Sequence, residues 1–184
     1  ISGTLFITKH SATYQVNRSG VRTKAYEARA LTKQRGAISG SLSEYVDSSG
    51  RSTLFCLDPD VGPCLIRPGV MQHIGRDLIE TWKLINLDAS CVARSWVYGE
   101  NHQVLWTIAT SGADLPNKGI RLQVNKQRDT PQGRRGGFTL FDGVMATALC
   151  GIEAPTNIGG AVARTMKLKP FIGMTRPRPP SKLN

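Results

Sequence analysis

Short β-rich runs separated by clusters of turn formers set the pattern along the chain. Leu5-Phe6-Ile7-Thr8 and Ala12-Thr13-Tyr14-Gln15-Val16 flank the polar Lys9-His10-Ser11, the layout of a hairpin. Leu54-Phe55-Cys56-Leu57 and Cys64-Leu65-Ile66 bracket Asp58-Pro59-Asp60-Val61-Gly62-Pro63, a segment dense in turn residues. Arg94 to Tyr98 and Gln103 to Ile108 stand in the same relation around Gly99-Glu100-Asn101-His102. Ile120-Arg121-Leu122-Gln123-Val124 alternates apolar and polar positions with the period of a half-buried strand. Phe138 to Phe141 then runs into Asp142-Gly143, a tight-turn dipeptide.

One stretch departs from this pattern. Ile74, Leu78, Trp82 and Ile85 fall on one stripe at helical spacing, which predicts a helix of about three turns over 74–86. Glu80 and Lys83 pair on its outer side, and a helix this short needs a sheet to pack against. The apolar starts at Leu5, Leu54 and Val104 lie 49 and 50 residues apart, the period of a blade-sized antiparallel unit. The expected fold is therefore all-β and antiparallel, partly β-propeller-like, with repeats near 50 residues and one short helix. Residues 1–169 form the propeller-like domain in this reading, and 170–184 form a Pro/Arg-rich extended tail or linker. Arg176-Pro177-Arg178-Pro179-Pro180 favours polyproline-like backbone, as an arm along a neighbour or as an ordinary chain end.

Composition narrows the class. Of 184 residues, 40% are hydrophobic, enough for a packed core. No apolar stretch approaches the length of a membrane helix. The start, Ile1-Ser2-Gly3, lacks the basic and apolar regions of a signal peptide and has no Met, so a longer parent polypeptide is expected. Cys56, Cys64, Cys91 and Cys150 have no metal-type spacing and are expected as buried reduced thiols, with Cys56 and Cys64 facing each other across a hairpin.

The net charge is +11, and it is uneven. Residues 1–36 hold seven Lys or Arg and one Glu; 37–117 hold five basic and nine acidic side chains; 118–184 hold twelve basic and three acidic. Two basic segments flank an acidic middle. Such a distribution serves solubility, or contact with a polyanion or an acidic subunit. Aromatics are not interleaved with the basic runs, which speaks against dedicated single-strand recognition. The densest basic stretch, Lys126 to Gly137, has four cations, three glycines and no hydrophobic residue, and reads as a long irregular hairpin tip. Lys126, Arg128, Arg134 and Arg135 are the candidate contacts to nucleic acid or an acidic partner.

Candidate chemistry is sparse. His10, His73 and His102 are far apart in sequence and read as polar surface residues rather than ligands. No nucleophile elbow or phosphate loop is present, and Asp58-x-Asp60-x-Gly62 lacks the further acidic ligands of a calcium loop. The expectation is no enzyme, no cofactor and no metal.

Taken in order, these elements resemble the β-propeller-like virion proteins of tailed bacteriophages, the tail hub, nozzle and adaptor type. Leu5 to Val16 is similar to the family's strand-turn-strand near a blade start. Gly36-Ala37-Ile38-Ser39 with Leu54 to Cys64 resembles its apolar strand and Asp/Gly turn, continuing into Leu78 to Asn86 with a Trp-x-x-Ile-Asn ending. Val104-Leu105-Trp106, Ile120 to Val124 and Phe141-Asp142-Gly143-Val144-Met145-Ala146 are similar to its chain-reversing strands. The resemblance implies a structural subunit of a ring around the DNA path, built from copies of itself, touching other tail or portal-proximal proteins and meeting DNA without sequence preference. It also implies a location in the virion, after assembly in the host cytoplasm. The other reading is a basic nucleic-acid-binding module of a ribonucleoprotein, favoured by the charge.

Overall fold

The computed structural model describes residues 4–21, 23–89, 92–130, 133–143, 146–156 and 165–174; for 129–130, 133–135, 146–156 and 165–174 it defines the backbone alone. The first sheet is an antiparallel meander of β1 (Leu5–Thr8), β2 (Thr13–Val21) and β3 (Lys24–Thr32). The second contains β4 (Ser43–Val46), β5 (Ser52–Asp58), β6 (Gly62–Arg67) and β7 (Val70–His73), again in chain order. The third runs β8 (Ala93–Tyr98), β9 (Gln103–Ile108), β10 (Lys118–Gln123) and β13 (Phe138–Asp142). Between β10 and β13 the chain makes a separate two-stranded ribbon, β11 (Arg128–Thr130) and β12 (Gly133–Arg135). A last pair, β14 (Ala146–Thr156) and β15 (Thr165–Met174), lies beside β8. Among the described residues all strand pairs are antiparallel and no sheet closes on itself.

The hairpins expected from the turn clusters form at β1–β2, β5–β6 and β8–β9. Leu54 and Val104 both lie on the second strand of a four-stranded meander, whereas Leu5 opens the first strand of a three-stranded one. The repeat spacing therefore matches strand position between the second and third sheets only.

Alternation along β5 and β6 determines how the sheets stack. Phe55, Leu57 and Leu65 join Tyr45, Val104, Trp106, Ile108, Ile120 and Leu122 in the larger core, between the second and third sheets. Their neighbours Cys56, Cys64 and Ile66 point the other way, into a smaller cluster with Ala37, Phe6, Leu31 and Met71. The second sheet is thus buried on both faces, which is why its strands read as continuous apolar runs. Two indoles fasten it: Trp106 Nε1 donates to the Ser41 carbonyl at 2.8 Å and Trp82 Nε1 to the Pro59 carbonyl at 2.9 Å. Pro63 is tolerated within β6 because its carbonyl, and hence its missing donor, faces away from β5; that carbonyl accepts the amides of Ile74 and Gly75.

Three expectations need correction. The helix over 74–86 is a 3-10 turn (Arg76–Leu78) followed by one α-helical turn, α1 (Ile79–Trp82). Its apolar stripe still faces the core, with Ile74, Leu78 and Trp82 buried and Ile85 packed against them. The helix stops because the next backbone groups pair elsewhere: Asn86 N–H donates to Ala109, the Leu84 carbonyl accepts from Ser111, and Ile85 bridges Thr110. Glu80 and Lys83 do form an ion pair, at 2.7 Å. Second, the stretch 126–137 is not irregular but carries β11 and β12. Third, Pro170 to Met174 are not irregular but belong to β15, with Pro170 opposite Gly151. Residues 175–184, with the Pro/Arg run, lie outside the described residues.

Candidate nucleic-acid interface

The four cations singled out in the sequence come together around one ribbon. Lys126 ends a 3-10 turn (Val124–Lys126) and Arg128 opens β11; both are exposed. In the ribbon register Arg135 stands opposite Arg128, and Arg134 opposite Asp129. An antiparallel two-stranded ribbon is of a width that the major groove of duplex DNA admits.

The ribbon base is held from several sides. Gln123 N–H donates to the Gly137 carbonyl at 2.7 Å, and Gly136 N–H donates to Asp77 Oδ2 at 3.2 Å. Gly137 has a φ of +81°, and a Cβ there would lie 2.6 Å from the Gln123 carbonyl oxygen, so only glycine makes the exit from β12. Val124 N–H donates to the His102 carbonyl at 2.8 Å. His102 itself is fixed by Tyr45, whose hydroxyl lies 2.6 Å from Nδ1. A line of contacts thus connects the buried Tyr45 to the base of the ribbon. Burial, reinforced by the Asp47 carboxylate, raises the Tyr45 phenol above its ordinary value.

His102 is therefore a half-buried positioning residue, not the polar surface group expected. His73 also departs from that expectation: it is half-buried in β7, and its Nε2 is buried without a hydrogen-bond partner. Burial, then Arg35 and Arg76, hold its imidazole below the ordinary histidine value. His10 is exposed in the first turn. Cys56 and Cys64 are opposed across β5–β6, buried and free, as the hairpin spacing leads one to expect. Burial, with the Asp58 carboxylate nearby, pushes the Cys64 thiol up to about 12. Cys91 lies outside the described residues. The Asp58 carboxylate accepts the backbone amides of Gly36, Asp60 and Val61, which gives the Asp58-x-Asp60-x-Gly62 segment a role in closing the turn. Among the described residues no cluster of His, Cys, Asp or Glu has metal-binding geometry.

One grouping has no sequence signal. On the outer face of the third sheet Trp96 and Tyr98 stack at 5.4 Å, and the Arg121 guanidinium lies 5.3 Å from the Phe141 ring centroid. Cross-strand register brings them together, with Trp96 opposite Leu105 and Leu105 opposite Arg121. Aromatic and basic residues that are far apart in sequence share one cross-strand row, with Leu105 between Trp96 and Arg121.

No protein-family model matches the chain, and no curated protein matches it significantly. No described helix is long and apolar enough to cross a membrane.

Proposed function

We propose that this chain is a structural component of a tailed-phage particle, a propeller-like subunit of a tail hub, nozzle or adaptor ring around the DNA path. The observation that carries the reading is the second sheet, a four-stranded meander buried on both faces between two further antiparallel sheets. Meanders of this kind stacked in chain order are how propeller blades pack. In this reading the ribbon of Lys126, Arg128, Arg134 and Arg135 faces DNA or an acidic neighbouring ring, and binding is independent of sequence because phosphates carry no base information. The subunit works by assembly, without turnover or cofactor, in the virion. The test replaces those four residues with Ser and measures duplex affinity against salt together with particle assembly. Loss of four phosphate contacts flattens the logarithmic salt slope by about three to four units. Unchanged slope and unchanged assembly would remove the ribbon from the function.

A second reading is a nucleic-acid-binding module of a ribonucleoprotein. It is favoured by the Trp96–Tyr98 stack and the Arg121–Phe141 pair on the same face of the third sheet, since aromatic faces with a guanidinium suit unpaired bases. Trp96→Ala separates the two: it weakens single-strand binding in the second reading and leaves duplex binding unaltered in the first.

A further inference from the structure

Cys56 and Cys64 stand directly opposite each other on β5 and β6, both wholly buried and both free. Their neighbours fix the sense of the pairing. Leu57 turns its backbone away from β6, its carbonyl accepting from Ile38 N–H and its own N–H donating to Ser41 Oγ. The Pro63 carbonyl likewise faces away from β5. Backbone direction alternates along a strand, so Cys56 and Cys64 turn theirs toward each other and form a hydrogen-bonded pair. Cα atoms in such a pair are about 5.5 Å apart, inside the span of about 4.4–6.8 Å that a disulfide bridges.

The Cβ atoms fit less well. A hydrogen-bonded pair holds them at the wide end of about 4.5–5.5 Å, whereas a disulfide draws them to about 3.5–4.5 Å. A bond here pulls the strands together by about 1 Å, and that strain makes it easier to reduce. The loop it closes, residues 57–63, is short, so it restricts the unfolded chain little. Such a bond is reversible rather than a staple. Phe6 and Leu31 of the first sheet, with Ala37 of the linker, cover the two thiols. Polar ties across this seam include Gly36 N–H to the Asp58 carboxylate and Gly69 N–H to Gln15 Oε1. The larger core lies on the opposite face of the second sheet, so the first sheet can lift without breaking it.

We propose that Cys56 and Cys64 are a reversible dithiol–disulfide pair beneath the first sheet, oxidised by a small-molecule disulfide of the glutathione type when that sheet lifts. One cysteine, as thiolate, attacks the S–S bond of the reagent, giving a mixed disulfide and one released thiol. The second cysteine then attacks the protein sulfur of the mixed disulfide and displaces the other half of the reagent. Two protein thiols lose two electrons, the reagent disulfide gains them, and the two protons end on the two released thiols. The closed form reacts slowly, because burial leaves little thiolate and bars approach. The inference does not depend on the phage reading.

The test incubates the folded 184-residue chain with oxidised glutathione for several hours at neutral pH, blocks the remaining thiols and digests with trypsin. Peptide 52–76 holds Cys56 and Cys64 and no other cysteine. The expected product is that peptide unblocked and two hydrogens lighter, returning to the dithiol in excess reduced glutathione. Phe6→Ala loosens the covering sheet and speeds the oxidation by about tenfold or more, whereas Ile120→Val, in the larger core, leaves the rate unchanged. Cys56→Ala stops the reaction at the mixed disulfide on Cys64. Circular dichroism of each variant certifies that the fold is intact. A peptide 52–76 with both thiols blocked after the full incubation overturns the proposal, as does a bond from either cysteine to Cys91 or Cys150. A bond that survives excess reduced glutathione overturns its reversibility. Equal acceleration by Phe6→Ala and Ile120→Val overturns the lifting of the first sheet, since global unfolding then exposes the pair. Failure of the phage reading appears separately, in the ribbon's salt slope.

Discussion

The buried carboxylate of Asp58 holds the amide of Gly36, Oδ2 to N at 2.9 Å, across the seam between the first two sheets. Oδ1 of the same group accepts the amides of Asp60 and Val61 at 2.9 and 3.1 Å, closing the β5–β6 turn. One side chain thus fixes a hairpin and the linker that enters the second sheet. The linker is clasped from its other side too, since Ala37 N–H donates to the Lys9 carbonyl at 2.8 Å. A Cβ at Gly36 would overlap that carbonyl oxygen.

Asp58→Ala should cost about 3–5 kcal/mol, because three amides lose their acceptor in a buried seam. Urea denaturation measures it. A loss under about 1 kcal/mol would mean that water replaces the carboxylate freely.

Trp82→Ala should cost about 3–5 kcal/mol, since the ring is buried against the Gly62 backbone and in the larger core. Trp82→Phe keeps most of the packing and loses the bond to Pro59, so about 1 kcal/mol or somewhat more is expected. Equal losses for the two variants would show that packing contributes nothing here.

Stability should fall between neutral and mildly acidic pH through His73. Its folded-state value is below the ordinary 6.5, so the unfolded chain binds the extra proton first. The contribution is complete above about pH 6.5 and is lost as pH falls from there through the lower folded value. Arg35 and Arg76 add to the penalty on the charged ring, and Asp58 partly offsets it. Urea midpoints across that window should vary less for His73→Gln than for the unaltered chain. Asp47, held at about 2 by hydrogen bonds from Ser49 and Arg51, acts only in a much more acidic window.

Cys56 and Cys64 should resist a thiol-specific reagent in the folded chain and react once urea exposes them. Burial raises both thiols, so little thiolate exists at neutral pH. Peptide mapping after a short pulse of label reads the two positions directly, and rapid native labelling at either would contradict the packing of β5 on β6.

Strands were legible where local pattern and turn chemistry agree. Asp58 to Pro63 and Gly99 to His102 are strong turn signals, and the hairpins around them form as expected. The helical stripe from Ile74 to Ile85 was legible as a buried face but not as a helix of that length. Its second half pairs with residues 109–111, and a single-sequence period carries no information about that contact. The ribbon was hidden for a different reason. Its strands have no apolar side, so periodicity is silent, and the anchors that fix where it ends are the Gly137 carbonyl and the Asp77 carboxylate. Of the basic site, the cations were visible by type, but the register that opposes Arg128 to Arg135 was not. The Trp96–Arg121 neighbourhood was invisible because it exists only through pairing across β9.

The burial of the second sheet on both faces has a consequence for synthesis. Its strands end at His73, whereas the strands that cover Phe55, Leu57 and Leu65 are complete only at Gln123, roughly 50 residues later. At about 5–20 residues per second, that interval lasts about 3–10 s. The first sheet is already made and can protect Cys56, Cys64 and Ile66 from the start. For those seconds the growing chain carries, on its other side, a row of large side chains that the finished protein never shows to water.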